Sequence, residues 1–160
     1  MRQAAAAAAI LVLAGGLARA APPEIRLENA WLRPAQAGQP VTQVYVDIRA
    51  NQPVTLVGAS ARVATRTELV LLERPDPDPS NLKVVESIPV AAGGETRLAY
   101  LGSHIRLIDL LEEIRPGQTI TIDFTFTDAG GERQVVSVEA LARGVVLRRP
   151  DGQELPVTPK

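Results

Sequence analysis

The sequence predicts an all-β chain, an antiparallel β-sandwich or small barrel, on three observations. Apolar residues recur at every second position in the most regular segments, turn-forming residues punctuate those segments, and no long amphipathic helix interrupts them. In VYVDIRA, Val44, Val46 and Ile48 fall on one face, and Tyr45, Asp47 and Arg49 on the other. In TITIDFTFTD, residues 119–128, Ile120, Ile122, Phe124 and Phe126 alternate with Thr119, Thr121, Asp123, Thr125 and Thr127. A period of two is what a strand with one buried face requires.

The punctuation follows in chain order: Ala37-Gly38-Gln39-Pro40, Asn51-Gln52-Pro53, RPDPDPS at 74–80, Ala91-Ala92-Gly93-Gly94, Arg115-Pro116-Gly117 and Asp128-Ala129-Gly130-Gly131. Each combines residues that supply a fixed or positive φ or that hydrogen-bond their own backbone. One segment, LIDLLEEI at 107–114, places Leu107, Leu110, Leu111 and Ile114 at helical spacing, and reads either as a short helix or as a strand end and loop. At the C-terminus, Pro150-Asp151-Gly152 is a turn signal between two short candidate strands, so residues 143–160 form a tail or a hairpin.

The N-terminus has the three parts of a secretory signal peptide: a basic start at Arg2, an apolar stretch from Ala4 to Leu17, and Ala18-Arg19-Ala20 as a small-x-small cleavage site. That stretch is shorter than the ~20 apolar residues a membrane span requires. Residues 1–20 are therefore expected to be removed, leaving no membrane insertion and one domain over residues 21–142. Cleavage takes Arg2 and Arg19 with it, leaving 15 Lys plus Arg against 18 Asp plus Glu, a net charge of −3 with His neutral. That balance attracts neither nucleic acid nor anionic lipid. With no cysteine anywhere, the chain has no disulfide, thiolate ligand, cysteine nucleophile or cysteine-linked lipid.

Catalytic arrangements are poorly supported. The only histidine, His104, follows Ser103 within LGSHIRL, but successive strand side chains point to opposite faces and cannot act as nucleophile and base. No G-x-S-x-G sequence occurs in residues 21–160. Aromatic residues make up 3% of the chain, which leaves little surface for stacking sugars. The alternating carboxylates of DPDPS lack the central glycine and distal glutamate of a calcium loop, and fit a stiff hairpin loop. The chain is therefore expected not to be an enzyme.

Four stretches resemble the landmarks of the periplasmic copper chaperones called PCu(A)C: NAWLRPA at 29–35, SIPVAAGG at 87–94, the Gly-x-His of LGSHIRL, and RPGQTITIDFTFTDAGG at 115–131. The similarity spans roughly residues 25 to 140. It implies a cupredoxin-like, Greek-key β-sandwich in the periplasm that holds Cu(I) and passes it toward the Cu(A) centre of cytochrome oxidase. The family's ligand set, as the resemblance implies it, is a histidine, a methionine, then a His-x-Met pair. His104 matches the histidine of the pair and is the one metal-ligand position retained. The other three positions hold Val70, Leu82 and Arg106, and the only methionine is Met1, inside the segment to be cleaved.

Cu(I) is a soft ion that favours thioether and imidazole donors. A guanidinium roughly 4 Å from it costs about 1 kcal/mol in water and about 4 kcal/mol at an effective dielectric of 20. Copper is therefore the cofactor the resemblance implies, held weakly or not at all in this chain, while leucine for methionine preserves volume and packing. If the correspondence is right, positions 70, 82 and 106 surround His104 on one rim of the sandwich. Two functions follow: a copper carrier whose partner is an oxidase-assembly protein, or a metal-free module that binds another periplasmic protein.

Overall fold

The computed structural model describes residues 21–36, 38–74, 79–145, 147–148 and 154–155. The segment read as a signal peptide and the Pro150-Asp151-Gly152 turn lie outside the described residues. Among the described residues, twelve strands run in chain order: β1 (Ile25–Leu32), β2 (Val41–Ala50), β3 (Val54–Ala61), β4 (Ala64–Leu72), β5 (Leu82–Val85), β6 (Ile88–Val90), β7 (Glu95–Leu98), β8 (His104–Leu110), β9 (Thr119–Asp128), β10 (Arg133–Ala142), β11 (Leu147–Arg148) and β12 (Glu154–Leu155). A 3-10 turn, Pro79–Asn81, precedes β5.

Strands β1 to β10 form one sheet in the order β5-β4-β8-β2-β1-β10-β9-β3-β6, with β7 added to β2. The consecutive strands β3 and β4 touch, so the sheet wraps round a single core in the manner of a sandwich. All pairings but one within this sheet are antiparallel; β1 and β10 run parallel, with Trp31 opposite Leu141 and Leu32 opposite Ala142. Separately, β11 and β12 pair antiparallel at Leu147↔Leu155 and Arg148↔Glu154. No helix among the described residues is long and apolar enough to cross a membrane.

The alternating segments bury the faces their sequences indicate. Ile120 of β9 is 6% exposed and Ile122, Phe124 and Phe126 are fully buried, as are Val44, Val46 and Ile48 of β2 to within 1%. Leu32, Leu56, Ile105, Leu107 and Ile114 complete the same cluster. LIDLLEEI resolves as a strand end and loop: Leu107 to Leu110 lie in β8, and Ile114 forms an isolated bridge with Ala35. Helical spacing loses here because Leu107 and Ile105 both reach the core through β8, which pairs on both edges, with β2 and β4.

Two departures from regular pairing matter for the outer surface. Between Glu28↔Asp47 and Trp31↔Tyr45, β1 advances three residues while β2 advances two, which is a β-bulge. Asn29, at φ 53°, provides the turn, and asparagine tolerates that region better than other non-glycine residues. The extra residue inverts the alternation: Ile25 and Leu27 face the core before it, Leu32 after it, and Trp31 turns outward. Strand β2, in turn, divides one edge between two partners. Val41 to Val44 pair with β8 and Val46 to Arg49 pair with β7, so the chain joining β7 to β8 emerges beside Tyr45.

Because Phe124 is fully enclosed, Phe124→Ala is expected to lower unfolding stability by about 3–5 kcal/mol. Val135, on the exposed face of β10 and 60% accessible, should tolerate alanine within about 0.5 kcal/mol. Urea titrations of both variants against the parent check the assignment of the two faces.

Candidate functional site

The outward turn of Trp31 starts a row of side chains that crosses the outer face of the sheet. Trp31 stands opposite Tyr45, the β2–β8 register places Tyr45 beside His104, His104 stands opposite Val70, and Val70 opposite Val84. Neighbouring strands lie about 4.8 Å apart, so adjacent members of the row are in reach of one another. A second row runs alongside. Arg33 donates its backbone N–H to Gln43 O at 3.0 Å, Gln43 stands opposite Arg106, and Arg106 opposite Glu68.

The first row contains a buried patch separate from the main core. Val70 is 0%, Tyr45 1% and His104 3% exposed. The patch gathers most of the chain's ring systems. Trp31 and Tyr45 have centroids 4.2 Å apart, Tyr100 meets Tyr45 edge-on at 6.3 Å, and His104 lies 6.2 Å from Tyr45. Arg143 places its guanidinium 4.9 Å from the Trp31 centroid, a cation–π contact.

Hydrogen bonds fix the orientation of His104. Its Nδ1 is 2.8 Å from Gly102 O, a group that only accepts, so Nδ1 carries the proton. Nε2 is then the acceptor, and the Gln43 amide donates to it at 3.4 Å. This leaves Gln43 Oε1 to accept from the Tyr45 hydroxyl at 2.6 Å. The chain Tyr45, Gln43, His104, Gly102 is thus satisfied throughout, as buried polar groups require. Burial lowers the His104 pKa below 6.5, with Arg106 adding to the effect and the Gly102 bond opposing it. Burial likewise pushes Tyr45 up to about 12. Both side chains are neutral near pH 7.

The loop from Ala99 to Ser103 supplies the Gly102 carbonyl. It closes through Ala99 N–H to Ser103 O at 2.8 Å and Gly102 N–H to Ala99 O at 2.9 Å, with Leu101 at φ 63° on its tip. Ser103 Oγ accepts the Leu72 N–H at 3.0 Å, a structural role away from the imidazole.

The four positions singled out by the family's ligand pattern share one face but not one rim. Val70 and His104 are direct cross-strand neighbours, and both are buried. Arg106 lies two residues along β8, with its side chain 35% exposed. Leu82, on β5, pairs with Leu72 of β4 and lies two strands away from His104. Trp31, Gln43 and Tyr45 were missed from sequence, where Tyr45 grouped with the polar face of β2. A usable signal existed in composition: the chain has one Trp, two Tyr and two Phe, and the Trp and both Tyr converge here. Among the described residues, no three His, Cys, Asp or Glu side chains group together as metal ligands would.

Comparison with solved structures identifies the fold. A copper-bound PCuAC domain from PmoF2 superposes with a TM-score of 0.60 at 19% identity, covering 76% of this chain and 93% of that one. The solution structure of Cu(I)-loaded DR1885 from Deinococcus radiodurans gives 0.54 at 22% identity, covering 72% and 75%, and apo-DR1885 gives 0.55 at 21%, covering 96% and 100%. The fold is that of a PCuAC domain. Residues 25–139 match the family model described as "Putative lipoprotein LpqE-like", and the chain belongs to that LpqE-like family. No curated protein matches it.

The lowered His104 pKa has a defined consequence for stability. In the folded state the imidazole binds a proton less readily than in the unfolded chain, whose pKa is near 6.5. Its contribution is therefore whole above about pH 6.5 and is lost as pH falls toward the lower folded value. Urea unfolding between pH 7 and pH 5 should show stability declining through this window, and His104→Gln should flatten that part of the profile. An unchanged profile in the variant would remove His104 as the cause.

Proposed function

We propose that this protein is a non-enzymatic, exported accessory module of the periplasm, built on a copper-chaperone scaffold, that acts by binding another protein and holds Cu(I) weakly or not at all. The observation that carries the reading is the direction of His104 Nε2. The lone pair that a metal ion would take is occupied by the Gln43 amide, in a patch closed by Val70 and Tyr45. The chemistry of the neighbours points the same way. Val70 offers no donor, Arg106 brings a positive charge to the nearer methionine position, and the other methionine position is Leu82, two strands away. A soft monovalent cation has little to gain there.

Export is supported by the signal-like N-terminus and by the family's description as lipoproteins, although these 160 residues contain no cysteine through which a lipid could be attached. Copper delivery toward an oxidase Cu(A) centre, with a partner completing the site, is the second reading; His104 at the family's ligand position favours it. It requires a partner's donors to reach an imidazole that is 3% exposed, so burial weighs against it.

Cu(I) competition under reducing, anaerobic conditions tests this. The parent protein is expected to surrender Cu(I) to a chelator of micromolar affinity, and retention of one equivalent would overturn the metal-free reading. Val70→His with Arg106→Met should then create Cu(I) binding that depends on His104, because it sets an imidazole opposite His104 and replaces the repelling charge with a thioether. Adding Leu82→Met should contribute less, given its place two strands away. Val70 is enclosed, so the histidine should cost roughly 1–3 kcal/mol and folding is to be verified by circular dichroism.

A further inference from the structure

The second row on the outer face is cationic, with one carboxylate among its arginines. Arg33, Gln43, Arg106 and Glu68 follow one another across it, and Arg143, whose N–H bonds Leu32 O at 2.9 Å, extends it past Arg33. Glu68 is the one carboxylate in the row, and it is shared between Arg66 at 2.8 Å and Arg106 at 3.8 Å. Neither Arg33 nor Arg143 has a carboxylate partner among the described residues. On another part of the sheet, Arg49 and Arg97 both reach Glu95, and Arg97 also reaches Asp47. What marks this row is that Arg33, Arg106 and Arg143 share one face with a single carboxylate, in a chain that is net negative.

Directly beside them lies the apolar row. Trp31 is half-buried, Leu141 is 45% exposed next to it, and the loop above Tyr45 presents Tyr100 at 39% and Leu101 at 60%. Leu101 is held there at a positive φ, which non-glycine residues adopt only under strain, so the fold keeps a large apolar side chain on the tip despite that cost. Tryptophan, tyrosine and arginine are the residue types that concentrate binding energy at protein interfaces.

We propose that this face is a docking surface for an acidic segment of a partner protein, whose carboxylates pair with Arg33, Arg106 and Arg143 while an adjoining apolar side chain packs on Trp31 and Tyr100. The charge argument selects the occupant: Arg33 and Arg143 are without a carboxylate and Arg106 shares one with Arg66, and guanidiniums favour planar carboxylates, which they bind in bidentate fashion. This rests on the reading of the protein as a binding module, and it places that activity where the family's His-x-Met pair would stand, with Arg106 in place of the methionine. A surface that repels a metal cation becomes one that attracts an anion.

Selection of a random peptide display library on the full chain tests it, using the Arg33→Gln, Arg106→Gln, Arg143→Gln triple variant as counter-target. Peptides enriched on the parent should combine Asp or Glu with an aromatic or aliphatic residue. The strongest should shift the fluorescence of Trp31, the only tryptophan, and bind the variant about tenfold or more weakly. Replacing its acids by amides should have the same effect. Enrichment without acids, no enrichment, or equal binding by the variant would overturn the proposal. A Trp31 response to vesicles of anionic lipid, without one to acidic peptides, would assign the face to membrane and overturn it too. Folding of the variant is checked by its urea midpoint. Tight Cu(I) retention in the separate competition would instead count against the metal-free reading, so the two failures are distinguishable.

Discussion

A strand with one face against the core can bury only alternate side chains, and β1 changes which set it buries partway along. The bulge at Asn29 adds one residue, after which Leu32 takes the inward position and Trp31 the outward one. Without it, Trp31 would continue the inward phase of Ile25 and Leu27, and the outer face would lose its largest ring. The aromatic contact to Tyr45, the cation–π contact to Arg143 and the position of Arg33 all follow from that one inserted residue. Bulges re-aim side chains in this way wherever a sheet must present a particular group.

The second constraint is the burial of polar groups outside the main core. A buried acceptor or donor left without a partner costs on the order of 1–3 kcal/mol, so His104, Gln43 and Tyr45 are tied to one another and to Gly102 rather than independently variable. A histidine that in a metal site would need an unoccupied lone pair is here part of a closed chain of hydrogen bonds. Arg106 and the arginines beside it complete the change of character, from a place suited to a soft cation to one with surplus positive charge.

Much of the fold was legible because strand alternation and turn chemistry are local. The buried faces of β2 and β9 and the Asp128-Gly131 turn can be read from adjacent residues; Asp128 Oδ1 accepts both the Gly130 and Glu132 N–H groups at 2.8 Å, and Gly131 sits at φ 79°. The site was legible only in part. His104 was singled out as the sole histidine, and the family pattern led to Val70 and Arg106, which do share its face. In sequence Tyr45 shares a face with Asp47 and Arg49, and nothing in VYVDIRA reveals that Tyr100 of the β7–β8 loop packs against it. The expected rim became a buried patch for the same reason, and Leu82 fell further off because the pairing of β4 with β5 sets Val84, not Leu82, opposite Val70. The parallel pairing of β1 with β10 likewise depends on the whole sheet wrapping round, which no local pattern encodes.

The division of one edge of β2 between β7 and β8 separates two jobs. The paired residues on either side, Val46 to Arg49 and Val41 to Val44, anchor the sheet, while residues 99–103 leave it and return without contributing a rung of their own to β2. Length and sequence in that excursion can therefore drift with little effect on the ladder that supports it. A lineage could exchange the tip residues Tyr100 and Leu101 for others, acquiring a different recognition surface while inheriting the scaffold intact. In evolutionary terms, the gap in the pairing of β2 is a point of free variation set beside the most tightly packed polar side chains on that face.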